Sequence, residues 1–141
     1  MTPYRVLVTG SRDWDDRRAI EDTLTTAGAL AIALGQRLTV VHGDCRTGAD
    51  RIADAWAEWH RNRGQPFDLE RHSAEDFGPW PRCGPIRNRH MVQLGADIAF
   101  AFIGPCTSPR CRRPAPHPSH GASGCADLAE QAGIPTRRWT A

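Results

Sequence analysis

The 141-residue chain, with 40% hydrophobic and 24% charged residues and a formal net charge of +2, has the size and balance of one globular domain. All 18 of its basic residues are arginine, which excludes a lysine-type phosphate loop and any lysine Schiff base, pyridoxal phosphate attachment included. The charge excess is too slight to argue for nucleic acid. The lack of a bilayer-length apolar run or a signal-peptide pattern sets the expectation of a cytoplasmic protein with no membrane partner.

Val6-Leu7-Val8-Thr9 reads as a strand running into the turn Gly10-Ser11-Arg12, with a helical pattern opening at Trp14-Asp15-Asp16. In such a junction Gly10 lets backbone approach a ligand, Ser11 offers a hydroxyl, and the helix-start N–H groups favour phosphate. Ile20, Leu24, Ala27, Leu30 or Ala31, and Leu34 predict an amphipathic helix ending near Gly35. Leu38 to His42 predicts a second buried strand, which breaks into Gly43-Asp44-Cys45-Arg46-Thr47-Gly48 and feeds a helix carrying Ile52, Ala53, Trp56 and Trp59. Thr47 and Asp50 have the spacing of a capping box, and a ligand-binding role is the alternative for Asp50. Asp44, directly after a strand end in a glycine turn, is suited to meet a ribose hydroxyl or polarise a water.

Phe67 to Glu70 predicts a short strand, and the loop from Ser73 to Gly84, rich in Pro and Trp, is suited to fold over a cleft. Pro85 is expected at the first position of a helix that stops at Gly95, with Arg87 and Asn88 in its first turn. There a guanidinium can pair with phosphate in bidentate fashion and an amide can read a base or sugar edge, the alternative being solvated surface cations at Arg87 and Arg89. Asp97 to Ile103 predicts a central strand covered on both faces. Residues 105–118 then carry five prolines and almost no aliphatic side chains, too long a structureless run for a compact domain unless something holds it. The five cysteines, an odd number, favour a metal site or free thiols over disulfides. A structural zinc held by Cys106, Cys111, His117 and Cys125, with His120 as alternative ligand, is the expected staple. The competing reading places Cys125 on the apolar face of the last helix with Leu128, Ala129 and Ala132. Ser119 to Gly124 predicts a third glycine and serine turn before that helix, and Pro135 to Trp139 an edge strand.

Three such turns lie together on the carboxyl edge of a parallel sheet. The expected ligand-binding residues are therefore Gly10, Ser11, Arg12, Gly43, Asp44, Thr47, Gly48, Arg87, Asn88, Ser119 and Gly121.

The segments Val8-Thr9-Gly10-Ser11-Arg12-Asp13, His42-Gly43-Asp44 with Thr47-Gly48-Ala49-Asp50, Gly84-Pro85-Ile86-Arg87-Asn88 and Gly95-Ala96-Asp97 together resemble the YspA-like proteins of the SLOG superfamily. The resemblance implies one Rossmann-like three-layer α/β domain over residues 1–141, with a mostly parallel central sheet and a Pro/Cys/His-rich insert at 104–121 outside the superfamily core. It implies binding of a nucleotide or nucleotide-derived ligand, such as a phosphorylated nucleoside or ADP-ribose, by a sensor or sequestering module. A homodimer paired through helices is also compatible with it. The superfamily includes the LOG phosphoribohydrolases. Arg87 matches by position their arginine before the central strand, and Ser119 to Ser123 stands at their phosphate turn. Where those enzymes continue with an acidic pair, this chain has Gly124-Cys125-Ala126. N-glycosidic hydrolysis, with Asp44, Asp50 and Arg87 as catalytic candidates, is thus the alternative. Single-strand nucleic-acid binding of DprA type through Arg110, Arg112 and Arg113 ranks below it, because aromatics for base stacking are not interleaved there.

Overall fold

The computed structural model describes residues 2–114 and 116–140. Five strands form one sheet in the order β3-β2-β1-β4-β5, every neighbouring pair parallel: β1 (Pro3–Gly10), β2 (Arg37–His42), β3 (Phe67–Arg71), β4 (Ile98–Ile103) and β5 (Thr136–Thr140). Helices α1 (Arg17–Ala33), α2 (Gly48–Arg61), α3 (Cys83–Leu94) and α4 (His120–Gln131) connect them, with a short 3-10 turn at Ala74–Phe77 before α3. The architecture is the expected α/β sheet with helices on both sides.

The alternation of side chains along each strand sorts the core into two layers. Val6, Val8, Leu38, Val40, Phe100 and Phe102 point to the side of α1 and α2, where they meet Ile20, Leu24, Ile52, Ala53 and Trp56. Leu7, Val41 and Ala99 point the other way, against Met91, Val92, Cys125 and Ala129 of α3 and α4. On that second side Ala101 and Ile103 face Ala122 and Ala126, so small residues on both elements let α4 lie close to the sheet. Removing a fully buried side chain such as Leu24 or Phe102 from water contributes about 1.5–3 kcal/mol each. The charged groups of the edge strands are paired: Asp68 and Glu70 of β3 with Arg37 of β2 and Arg5 of β1, and Arg138 of β5 with Asp127 and Glu130 of α4, which keeps the sheet margins polar.

Three helix starts differ from expectation, the first being that of α1, which opens at Arg17 rather than at Trp14 to Asp16. Helix α3 begins at Cys83, two residues before Pro85. Proline is tolerated there because the first-turn N–H groups have no intrahelical partner, so Arg87 falls beyond the first turn. Helix α4 begins at His120, so Gly121, Ser123 and Gly124 are helical and the third glycine turn does not exist; only Ser119 remains outside, as the N-cap residue.

Because the chain runs from β1 to β2 on one side and returns to β4 on the other, the loops after β1 and β4 diverge at the centre of the sheet. Such a topological switch point opens a crevice at the carboxyl ends of the strands.

Candidate functional site

A cleft of about 1440 Å³ occupies that crevice. Its walls include Gly10, Arg12, Gly43, Asp44, Thr47, Arg87, Asn88, Ser119 and Gly121, so all the expected ligand-binding residues except Ser11 and Gly48 share one hollow.

Ser11 lies behind the wall, where it joins the two central strands. Its N–H donates to the Phe102 carbonyl (2.9 Å) and its hydroxyl accepts from the Gly104 N–H (2.8 Å). Gly48, with φ +70°, also lies behind, where an added Cβ would collide with the Ser11 carbonyl and meet the Arg12 backbone at 2.5 Å. Gly10 lines the cleft, yet what demands glycine there is packing, since a Cβ would strike that of Ala49 and approach the Phe102 carbonyl at 2.9 Å. The first loop presents no open helix end either. Helix α1 starts seven residues after Gly10, and the Asp16 side chain accepts from the Ala19 N–H (3.1 Å). Trp14, its ring tilted 57° to that of Phe102 with centroids 5.6 Å apart, fills the intervening turn.

At the starts of α2 and α4 the N-cap side chains leave the helix N–H groups uncapped, although at α2 the Ala49 N–H donates to the Ser11 carbonyl (3.2 Å). Neither N-cap side chain, Thr47 or Ser119, bonds back to its helix. The expected capping box is therefore absent. Instead the Asp50 carboxylate reaches back to accept from the Cys45 N–H (3.3 Å), holding the loop after β2 against the cleft floor. Burial pushes the Asp50 carboxyl above its ordinary value, although His42, the Cys45 and Gly43 amides and Arg87 counteract it. A folded-state value above the unfolded one means that the native state binds the proton more tightly, so stability falls as pH rises above the ordinary aspartate range. Asp50→Asn keeps an oxygen for Cys45 and removes the charge. It is expected to be more stable than the parent at pH 7, with the gap closing as pH falls toward 4, as read from urea unfolding between pH 4 and 8. A variant less stable at pH 7 would show that the ionised form is the one the fold favours.

Asp44 is exposed and sits in the left-handed region (φ 56°), which aspartate tolerates. A buried chain of contacts holds it there. Its N–H donates to Nδ1 of His42, which is 1% exposed, so the ring proton is on Nε2 and donates to Asp54 (2.7 Å). Arg71 grips the same carboxylate through Nε (2.6 Å) and Nη2 (3.1 Å). Burial opposes ionisation of Asp54, but Arg71 and His42 outweigh it and hold its carboxyl below the usual value.

Arg87 crosses from α3 to this loop. Its Nε donates to Asn88 Oδ1 (2.7 Å) and its Nη1 to the Gly43 carbonyl (2.5 Å), while Nη2 makes no hydrogen bond among the described residues. The guanidinium lies against Gly43, with Nη1 2.5 Å from where a Cβ would be, so a side chain there would displace the tip of Arg87. Arg87 and Asn88 are thus a positioned pair rather than solvated surface groups.

The insert after β4 forms another wall, contributing Pro105 to Arg110. Its ends are zipped by an antiparallel bridge between Pro105 and Pro118, by Cys106 N–H to the His117 carbonyl (2.7 Å) and by Ser119 N–H to the Gly104 carbonyl (2.9 Å). Between them Cys106, Cys111, His117 and His120 bring their ligand atoms within 4.8 Å of one another. Cys111 Sγ lies 3.3 Å from Nε2 of each histidine, and the two Nε2 atoms are 3.2 Å apart. A tetrahedral zinc with bonds of about 2.3 Å to sulfur and 2.0–2.1 Å to nitrogen would set these separations at about 3.5 and 3.3 Å. His117 Nδ1 lies 2.9 Å from the Pro114 carbonyl, which can only accept, so the Nε2 lone pair is left for a ligand bond. The donor set therefore fits a metal ion, with one correction to the expected ligands. Cys125 is fully buried between α4 and the sheet, where burial pushes its thiol up to about 11 although Thr9 counteracts it, and His120 takes its place.

Sequence reasoning passed over Trp80, which also lines the cleft. The signal available was a tryptophan between two prolines in a loop with no apolar periodicity. The described residues contain no helix long and apolar enough to cross a membrane.

Comparison with known proteins agrees with the fold and with the motifs along its first half. The family model described as the YspA, cpYpsA-related SLOG family matches residues 4–75. The chain is 40% identical over 134 residues to the "Gene 61 protein" of Mycobacterium phage D29, an alignment that covers 93% of this chain and 92% of that protein. No solved structure matches. From β1 through the loop after β3 the matched segment carries the Gly10 turn and the Gly43-Asp44 loop, and on that footing the chain belongs to the YspA, cpYpsA-related SLOG family.

Proposed function

We propose that the protein is a binding module for a nucleotide or nucleotide-derived ligand such as ADP-ribose, held in the switch-point cleft. One observation carries this reading: the N-cap residues of α2 and α4, Thr47 and Ser119, both line the cleft with side chains that bond to neither helix, and Arg12, Arg46, Arg87 and Arg110 line the walls around them. Helix-start N–H groups and guanidinium groups converging on one hollow suit a phosphorylated ligand. The cleft volume exceeds the roughly 300–1,000 Å³ of ordinary small-molecule sites, which suits a ligand with two sugar or phosphate units. Isothermal calorimetry with AMP, NAD and ADP-ribose is expected to give saturable heat with at least one of them. The absence of heat and of any thermal shift with all three would overturn the reading.

The Cys106, Cys111, His117 and His120 cluster is assigned to a structural zinc. Bound there, zinc would tie the insert to the start of α4. A single ion has the binding free energy to order a segment that buries almost no apolar surface.

A second reading, N-glycosidic hydrolysis of a nucleoside monophosphate, is favoured by one feature, the buried Asp50 carboxyl at the cleft floor with its raised value. Release of free base from AMP, abolished in Asp50→Asn, would support it. Release at the parent rate by that variant would remove Asp50 from the chemistry.

A further inference from the structure

Trp14 and Trp56 are each 8% exposed and Trp139 stacks on Phe102, while Trp59, 52% exposed on α2, lies under Arg63 away from the cleft. Trp80 is 60% exposed, and it lies at the cleft. It stands in Gly78-Pro79-Trp80-Pro81, between the 3-10 turn and α3, where a proline on each side restricts the backbone. From across the cleft the Arg12 guanidinium lies over its ring, 5.0 Å from the centroid. Arg12 follows Ser11, whose bonds to Phe102 and Gly104 fix that loop to the sheet, so the backbone that carries Arg12 is anchored from behind.

An indole face and a guanidinium plane both stack on flat π systems, and neither distinguishes strongly among them. We propose that Trp80 and Arg12 form the platform on which the nucleobase of the bound nucleotide stacks, a specificity element separate from the helix starts that take its phosphate. This rests on the nucleotide reading above. Larger ring systems cover more of the platform, so purine nucleotides should bind more tightly than pyrimidine ones, and a sugar phosphate lacking a base should gain nothing from it.

The test uses calorimetry on the parent, Trp80→Ala and Trp80→Phe with AMP, UMP and ribose 5-phosphate. Trp80 contributes little to the core, so the alanine variant is expected to fold, which its circular dichroism and melting temperature check. AMP affinity should fall about tenfold or more in Trp80→Ala, remain largely in Trp80→Phe, and exceed that of UMP in the parent, while ribose 5-phosphate binds parent and variants alike. Equal AMP affinity in the parent and Trp80→Ala, or an equal loss for AMP and ribose 5-phosphate, would overturn the platform and leave the nucleotide reading intact. If the parent binds neither AMP, UMP nor ribose 5-phosphate while ADP-ribose or NAD still gives heat, the platform alone falls; failure of every one of these ligands would overturn both.

Discussion

Gly48→Ala is expected to destabilise the protein by about 3 kcal/mol or more, far beyond the usual cost of a surface glycine. Two effects add at this position. The left-handed φ of +70° disfavours any side chain, and the new Cβ would be driven into the Ser11 carbonyl and the Arg12 backbone. Backbone atoms cannot rotate away as a side-chain tip can, so the loop after β1 and the start of α2 must separate. Gly35 supplies the control, since its φ is +68° and nothing lies within 4 Å of its added Cβ. Gly35→Ala carries only the conformational cost, about 1 kcal/mol. Urea unfolding of the two variants isolates the steric part. Equal losses would mean that the two loops are not in contact and that the cleft floor is assembled otherwise.

Removal of the proposed structural zinc is expected to disorder the insert while sparing the sheet. Residues 105–114 are all exposed or half-buried, and apart from the bridge between Pro105 and Pro118 little but the four-residue cluster holds them. Structural zinc supplies apparent binding free energies of about 10–16 kcal/mol in small domains, ample for such a segment. The zinc-loaded protein is expected to hold one ion per chain. Chelation should abolish amide-exchange protection at Cys106 and Ser119 and leave it at Leu7 and Val40. Cys106 and His120 line the cleft as well as the cluster, so the same treatment should weaken ligand binding. Cys111→Ser should lose the ion. Cys125→Ser should keep it and instead lose core stability, because its thiol packs with Leu7, Met91 and Ala129. Loss of the ion in Cys125→Ser but not in Cys111→Ser would overturn the assigned ligand set.

Much of the fold is legible in the sequence because a parallel sheet covered on both faces demands continuous apolar strands. Val6 to Val8, Leu38 to Val41 and Ala99 to Ile103 supply them without ambiguity. The misread features share a cause, in that local patterns were overridden by partners distant in sequence. Ser11 has the chemistry of a ligand contact, but Phe102 and Gly104, more than 90 residues on, take both its N–H and its hydroxyl. Thr47 and Asp50 have capping-box spacing, yet the carboxylate turns back to the Cys45 amide, the Thr47 hydroxyl makes no cap bond, and the Ser11 carbonyl takes the Ala49 N–H instead. Spacing placed Cys125 among the metal ligands, whereas the helical period that sends it to the core with Ala129 proved the stronger constraint. His120 combines helix start and cluster member, two roles that spacing alone does not join.

The central claim is that the open starts of α2 and α4 jointly receive a phosphorylated ligand, and an amide-resolved NMR titration with ADP-ribose tests it most directly. Saturable shifts concentrated at Gly43 to Asp50 and at His120 to Ala122, with the amides of β3 and β5 unmoved, are the expected result. Shifts confined to one of the two segments, or centred on the outer faces of α1 and α2, would contradict it.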